Sequence, residues 1–168
     1  MATSGKITGT AKRGSSTTSY YDFWCDWQRN SYSIEKCTSN ITIYLRIKCT
    51  AFADGAWNLV DKPSVSLSVG GTARTPNSIT HIDTRNYAIC TFATWTGDVK
   101  HNADGSPNCP ISVSFTHYGS QSLTGGSLSG SADLDTIPQA SSLDYLACAT
   151  NYFTGTMTYR YTDRKSVV

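Results

Sequence analysis

Apolar and polar side chains alternate along the central part of the chain. Because successive residues of a β-strand point to opposite faces of a sheet, a period of two predicts a strand with one buried and one solvent-facing side. The clearest run is Asn40–Ala51, and a second run, Pro63–Val69, ends at the turn signal Gly70 and Gly71. The apolar positions of the first run are Ile41, Ile43, Leu45, Ile47, Cys49 and Ala51.

Shorter alternating runs occur on both sides of this centre. Glycine, proline, asparagine and aspartate separate them, and no segment has a convincing helical period. Short strands joined by turns are typical of a sandwich or a barrel, so we predict an all-β fold. The additional predicted strands are Tyr20–Gln28, Tyr87–Trp95, Cys109–Tyr118 and Ser127–Leu134.

The pattern changes towards the end of the chain. Residues 136–142 contain a proline and two serines, and predict a linker after a sandwich domain that spans residues 1–135. Residues 143–162 alternate as a β-hairpin does, but so short a segment does not bury a core alone, so we interpret it as a partial second β module. Residues 163–168, DRKSVV, match one reading frame of a common sequencing adapter, and we interpret them as a non-native tail.

The composition narrows the class of protein. Only 15% of the 168 residues are charged, the formal net charge is +2, and lysine and arginine are scattered along the chain. A nucleic-acid-binding surface normally needs a basic cluster, so we expect no nucleic-acid partner. No apolar run reaches the length of a secretory signal or a membrane span. We therefore expect a protein that is made in a cytoplasm without membrane insertion.

The sequence contains six cysteines, but their spacing is not that of a metal site. No two of them form a CxxC pair, and the three histidines lie far from any pair of cysteines. A disulfide framework is expected in exported proteins, and no export signal is apparent in the sequence. We expect no metal and no cofactor, and interpret several cysteines as small buried side chains on strands.

One short stretch, VKHNADGSPN at residues 99–108, contains residue types that occur in catalytic sites. His101, Asp104 and Ser106 suggest a triad, but triad members usually come from separate elements that converge on one reacting atom. Asp104 followed by Gly105 is a strong turn signal, since glycine adopts positive φ and aspartate bonds nearby backbone N–H groups. We interpret His101, Asp104 and Gly105 as a structural turn and expect no enzyme activity. Two carboxylates at glycosidase spacing remain an open alternative.

Several aromatic residues are candidates for ligand contact. Trp24 and Tyr44 lie on strand faces opposite the apolar set. Trp57 and Tyr118 lie in or near predicted loops. Exposed rings among polar neighbours are suited to stacking on sugars or to contacts with proteins, so we take these four as candidate ligand-binding residues. The alternative is that the rings cover a second buried face or a subunit interface.

A set of short motifs occurs in a characteristic order along residues 5–142. The motifs are the aromatic strand Trp24–Trp27, the strand Ile41–Ile47, Ala56–Leu59, the turn at His101, Asp104 and Gly105, and the closing Ile137-Pro138-x-Ala140-Ser141. In this order they resemble a family of minor structural proteins of siphophages, whose tail-tip or fibre proteins join immunoglobulin-like modules. The sequence departs from the family at Gln139, where the closing motif has arginine.

The resemblance implies an immunoglobulin-like β-sandwich with a function in the virion tail. The family has no established catalytic residues, so the implied function is a tail structural or receptor-binding module that is made without a signal peptide. The expected partners are other phage tail proteins, further copies of the chain in a homo-oligomer, and host cell-wall polysaccharide. Two alternatives are a bacterial carbohydrate-binding or adhesin module and an accessory domain of a cell-wall hydrolase.

Overall fold

Eleven β-strands and one short 3-10 turn, Arg85–Tyr87, form the described part of the computed structural model, residues 3–51, 62–117 and 122–138. All strand pairs in this part are antiparallel. The strands in chain order are β1 (Ser4–Thr8), β2 (Thr10–Arg13), β3 (Ser16–Thr18), β4 (Tyr21–Ser33), β5 (Thr38–Cys49), β6 (Ser64–Val69), β7 (Thr72–Arg74), β8 (Asn77–Ser78), β9 (Ile89–Lys100), β10 (Pro110–Thr116) and β11 (Gly125–Ser131).

The strands form two sheets. Sheet A has the strand order β1-β4-β5-β9-β8, and sheet B has the order β3-β2-β11-β10-β6-β7. Apolar side chains from both sheets pack into one hydrophobic core. The prediction of an all-β fold is therefore confirmed, with two antiparallel sheets arranged as a sandwich.

The chain passes from sheet A to sheet B at Gly9, which lies between β1 and β2. A Cβ atom at this position would lie 2.7 Å from both Cβ of Leu128 and Cδ1 of Phe23. Such distances are too short for non-bonded carbon atoms, so any side chain here would push the crossing backbone away from the core. Gly9 thus allows two strands that are adjacent in sequence to belong to different sheets.

The core follows the alternation seen in the sequence. On β5 the odd-numbered side chains from Ile41 to Cys49 are fully buried, and the even-numbered ones are partly exposed. Three phenylalanines join the sheets, because Phe23 and Phe92 of sheet A both contact Phe115 of sheet B. The centroid of the Phe115 ring lies 5.0 Å from that of Phe23 and 4.9 Å from that of Phe92. These tilted and edge-to-face geometries are favourable for aromatic rings.

The longer predicted strands are observed with differences at their ends. The strand predicted over Asn40–Ala51 is observed as β5, and the one over Pro63–Val69 as β6. The prediction over Tyr87–Trp95 is wrong at both ends. Asn86 and Tyr87 have φ values of 54° and 59°, a left-handed backbone that a strand does not continue, so β9 begins at residue 89 and extends into the stretch predicted as a turn.

The alternation does not predict β1, β2, β3, β7 or β8. These strands contain between two and five residues, too few for a period of two to be recognised. Their residues are mostly exposed or partly exposed, because the strands lie at or near the sheet edges. Pairing with longer neighbours, rather than their own pattern, determines their position.

The described residues up to Ile137 belong to one compact unit, Met1–Ile137. The predicted partial module at 143–162 and the predicted tail at 163–168 lie outside the described residues, and so does most of the predicted linker at 136–142. Within the described residues, no helix is long and apolar enough to cross a membrane.

Buried cysteines contribute to the core, as the sequence predicts. Cys25, Cys49 and Cys109 are each at most 1% exposed, and Cys25 and Cys109 are free thiols. Burial, with a smaller contribution from Asp26, raises the pKa of the Cys25 thiol to about 12. Burial likewise raises the pKa of the Cys109 thiol to about 11. Both side chains are therefore neutral at physiological pH and pack as small apolar groups.

Candidate functional site

Polar and aromatic side chains cover the face of sheet A that points away from the core. On β1, β4 and β5 they occupy even-numbered positions, because odd-numbered side chains fill or line the core side. The strand register places Lys6, Asp26 and Tyr44 in one row across three strands, with Trp24 beside Arg46 in the next row. We call this surface the outer face, and its residues are Lys6, Trp24, Asp26, Asn40, Thr42, Tyr44, Arg46, Thr96 and Asp98.

An ion and aromatic cluster occupies the β1 side of the outer face. One carboxylate oxygen of Asp26, Oδ2, accepts hydrogen bonds from Nε1 of Trp24 at 2.9 Å and from Nη1 of Arg46 at 2.8 Å. The ammonium group of Lys6 lies 4.3 Å from the centre of the Trp24 ring. The guanidinium group of Arg46 lies 5.2 Å from the centre of the Tyr44 ring. Each ring therefore has a cation over its face, an arrangement that stabilises both partners.

A hydrogen-bonded set of amides and hydroxyls occupies the β9 side. The side-chain amide of Asn30 donates to Oδ1 of Asn40 and to Oγ1 of Thr42, both at 2.9 Å. The Asn40 amide donates to the Asp98 carboxylate at 2.7 Å, and the hydroxyls of Thr42 and Thr96 lie 2.9 Å apart. These bonds cross three strands, so they fix the orientation of polar groups over most of the width of sheet A.

Two grooves border the cluster. A groove of 330 Å³ runs over the outer face and is lined by Lys6, Asp26, Tyr44 and Arg46 among others. A larger groove of 680 Å³ lies on the other side, where threonines of β1, β2 and β3 and the side chain of Trp24 line it. Lys6 lines both grooves, so it marks the boundary between an ionic and a hydroxyl-rich surface.

The structure separates the predicted aromatic candidates. Trp24 is only 6% exposed, so the prediction that its ring is exposed is wrong. The ammonium group of Lys6 lies over the ring, and the indole N–H of Trp24 is held in a hydrogen bond to Asp26. Tyr44 is half-buried on the same face, two residues before Arg46 on β5. Trp57 and Tyr118 lie outside the described residues. The structure thus brings together two of the four candidates, on adjacent strands of sheet A.

The ring of His101 joins two parts of the chain. It is 8% exposed, and its Nδ1 lies 3.0 Å from the carbonyl oxygen of Gly105 while its Nε2 lies 2.8 Å from Oγ of Ser39. A carbonyl only accepts, so Nδ1 carries the proton, and in the neutral ring Nε2 accepts from the Ser39 hydroxyl. The Gly105 carbonyl also accepts the backbone N–H of Ile137 at 2.9 Å. His101 therefore connects β5, this turn and the end of the compact unit.

Asp104 and Ser106 bond to each other within the same turn. Oδ1 of Asp104 accepts the backbone N–H of Ser106 at 2.9 Å and its hydroxyl at 2.6 Å. These bonds hold the pKa of the Asp104 carboxyl below its usual value. Both nitrogens of His101 bond elsewhere, whereas a triad needs the histidine between the serine and the acid. Gly105 has a φ of 80°, which a turn requires and glycine adopts readily.

Lys6, Asp26 and Arg46 were not singled out as candidate site residues by the sequence pattern. Each is a charged residue on the solvent-facing side of a strand, which is common in β-sheets. Only the register of β1, β4 and β5 brings the three together. The one available signal was the clear alternation on β4 and β5, which placed Asp26 and Arg46 on the same type of face. Among the described residues, no group of three or more His, Cys, Asp or Glu side chains is placed to hold a metal ion.

Comparison with known proteins gives no relative for this chain. No protein-family model, curated protein or solved structure matches it.

Proposed function

We propose that this chain is a non-catalytic, immunoglobulin-like module of a phage tail that binds host cell-wall glycan through the outer face. The observation that supports this function is the combination of the partly exposed Tyr44 ring with oriented hydrogen-bonding groups on one face of sheet A. The order of motifs that resembles siphophage tail proteins supports the location in a virion. Neighbouring tail proteins would be the structural partners of the module.

The chemistry of the outer face suits a saccharide. A sugar ring has hydroxyl groups around its edge and C–H groups on its faces, so it needs both hydrogen-bonding partners and an apolar platform. Tyr44 offers a half-buried ring, and Arg46 beside it offers guanidinium donors. Asn40 and Thr42 on the same strand add amide and hydroxyl groups at alternate positions. Side chains already held by their neighbours lose little entropy on binding, which favours affinity.

The acidic residues of the outer face have roles that fit binding. Asp26 accepts bonds from Trp24 and Arg46, and Asp98 accepts a bond from Asn40. In each case the carboxylate orients a side chain that can contact a sugar. A single shallow groove gives modest affinity, so many copies in one tail would act together through avidity.

Binding to purified host cell-wall polysaccharide tests this function. The full chain should bind immobilised glycan, and Tyr44→Ala and Arg46→Ala should each weaken binding by about tenfold, corresponding to about 1.4 kcal/mol. The matched control is Ser112→Ala, because Ser112 is exposed on β10 of sheet B. Absence of binding by the wild-type chain, or unchanged binding by Tyr44→Ala, would overturn the proposal. Antibody labelling of virions tests the tail location separately.

A further inference from the structure

Within the described residues, both edges of sheet A have no neighbouring strand over several positions. Among the described strands, β1 pairs only with β4 at one edge. At the other edge β8 pairs with β9 only at Ala93 and Thr94, so Trp95–Lys100 has β5 on one side and no described strand on the other. The edge strands of sheet B, β3 and β7, contain only three residues each. Long open edges offer backbone N–H and C=O groups to a further strand, whereas short edges offer few.

Alternate residues of β1 direct their backbone groups out of sheet A. The carbonyl of Thr3 and the N–H of Gly9, just outside the two ends of β1, each form a 2.8 Å hydrogen bond with β4. In an antiparallel pair the hydrogen-bonded positions recur at every second residue, so the odd-numbered residues of β1 face β4. The residues whose backbone groups face the open edge are therefore Ser4, Lys6 and Thr8.

The outward-facing positions of β9 also recur at every second residue. The Phe92 carbonyl accepts a 2.9 Å bond from the chain that follows β8, and the Asp98 carbonyl accepts a 3.5 Å bond from the side chain of Arg74. Both carbonyls point away from β5, so the even-numbered residues of β9 face outwards. Beyond the end of β8, these residues are Thr96, Asp98 and Lys100.

We propose that β1 of one copy of this chain pairs with β9 of a second copy, so that sheet A continues from one molecule to the next. The two edges present matching sets of outward-facing residues. Antiparallel pairing places Lys6 opposite Asp98, and each matched pair exchanges two backbone hydrogen bonds. Lys6 and Asp98 both carry their side chains on the outer face, so their opposite charges meet across the junction. The remaining pairs are Ser4 with Lys100 and Thr8 with Thr96.

The direction of the strands favours a second copy as the partner. Strands alternate in direction along the order β1-β4-β5-β9, so β1 and β9 of one molecule run in opposite directions. A second molecule that is shifted along the sheet therefore presents its β1 antiparallel to β9 of the first. Such an interface uses two different surfaces, and repeated contacts of this kind form a ring or a filament. The pairing does not depend on the proposed glycan binding.

Arg74 controls access to the β9 edge. It lies on β7 of sheet B, its guanidinium group is 5.2 Å from the centre of the Trp95 ring, and its Nη2 donates to the Asp98 carbonyl. At 3.5 Å this bond is longer than an ordinary N–H···O bond, so a backbone N–H of an incoming strand replaces it with a better one. Arg74 thus weakens self-association without preventing it, and its removal should strengthen association.

A charge exchange between the two edges tests the pairing. Lys6→Asp and Asp98→Lys should each raise the dissociation constant for self-association by about tenfold, because like charges then meet at the junction. An equal mixture of the two variants should associate as the wild type does, since opposite charges return at every junction between unlike molecules. Three strand spacings, about 14 Å, and a further shift of four residues along the strands separate the two residues within one chain, so the rescue arises between chains. Sedimentation velocity of the full chain over a range of concentrations measures each species.

A backbone variant provides an independent measurement. Thr96→Pro removes an N–H that points out of sheet A and loses the hydroxyl contact with Thr42, but it retains the backbone hydrogen bonds between β9 and β5. It should therefore fold and remain monomeric. Arg74→Ala should associate more strongly than the wild type, and Ser112→Ala on sheet B should match the wild type. Thermal melts establish that each variant is folded. The proposal is overturned if the wild type and Arg74→Ala are monomeric at all concentrations, or if the mixture associates no more than its separate components.

Discussion

Phe23 and Trp24 are neighbours on β4 and face opposite sides of sheet A. Phe23 is 1% exposed and packs against Phe92 and Phe115 between the sheets. Trp24 is 6% exposed although it lies on the outer face, where Lys6 covers its ring. Similar burial therefore has two origins, close apolar packing on one side and covering by a charged side chain on the other. The inner side buries apolar rings between the sheets, while the outer side holds its ring through a cation and a hydrogen bond.

Truncation of Phe23 and of Trp24 should have the largest effects on stability, and it tests whether the two sides of β4 contribute differently. Phe23→Ala removes a ring from the closed core and should lower the free energy of unfolding by about 3–5 kcal/mol. Trp24→Ala should cost less, because water can enter the space that the ring leaves on the outer face. Urea unfolding followed by circular dichroism measures both values. An equal loss in the two variants would show that the two sides contribute alike.

The buried thiols of the inner side should make the free energy of unfolding depend on pH. The pKa of Cys25 is raised from 9.0 to about 12 and that of Cys109 to about 11, chiefly by burial. In the unfolded chain both thiols ionise from about pH 9, so their contribution to stability is complete below that pH and is lost as pH rises towards 12. The free energy of unfolding should fall by up to about 1.4 kcal/mol per pH unit for each thiol. Denaturant unfolding at several pH values should give a shallower slope for Cys25→Ala, and an unchanged slope would contradict this account.

A polar contact at the rim of the core should have an intermediate effect. His101→Ala leaves the hydroxyl of Ser39, a residue with no exposed surface, without its histidine partner. Loss of a partner from a buried polar group lowers the free energy of unfolding by about 1–3 kcal/mol, so thermal unfolding should occur at a lower temperature in His101→Ala. Asn102→Ala in the same turn is the control, because Asn102 is exposed and should change stability little. Equal effects of the two substitutions would exclude a special contribution from the histidine.

The outer face should show the smallest effect on stability. Asp26→Asn removes the ion pair with Arg46, whose side chains are 27% and 34% exposed respectively. Ion pairs this accessible to water contribute at most about 1 kcal/mol. A double-mutant cycle with Arg46→Ala should give a coupling energy in that range that decreases with added salt. A coupling of several kcal/mol would mean that the outer face also determines the fold.

The sequence pattern predicted the face of the sheet to which each residue belongs, because that property depends only on neighbouring residues in the same strand. A period of two assigns each residue to a face, so the inner and outer sides of β4 and β5 were correctly predicted. The exposure of Trp24 was not, because the side chain that covers it, Lys6, comes from β1, a strand too short to be recognised. The contact of His101 with Ser39 joins residues 62 positions apart. Strand order and register, which no local pattern contains, bring such residues together.

The bond between Ile137 and Gly105 has a mechanical consequence. In the proposed tail module, tension applied at residue 137 would reach the sandwich first through this hydrogen bond and through the Arg29–Asp135 ion pair at 2.7 Å. Both contacts lie ahead of the paired residues of β11 along the path of the force. The turn at residues 101–106 therefore serves as an anchor point, and rupture under load would begin there before any sheet is sheared.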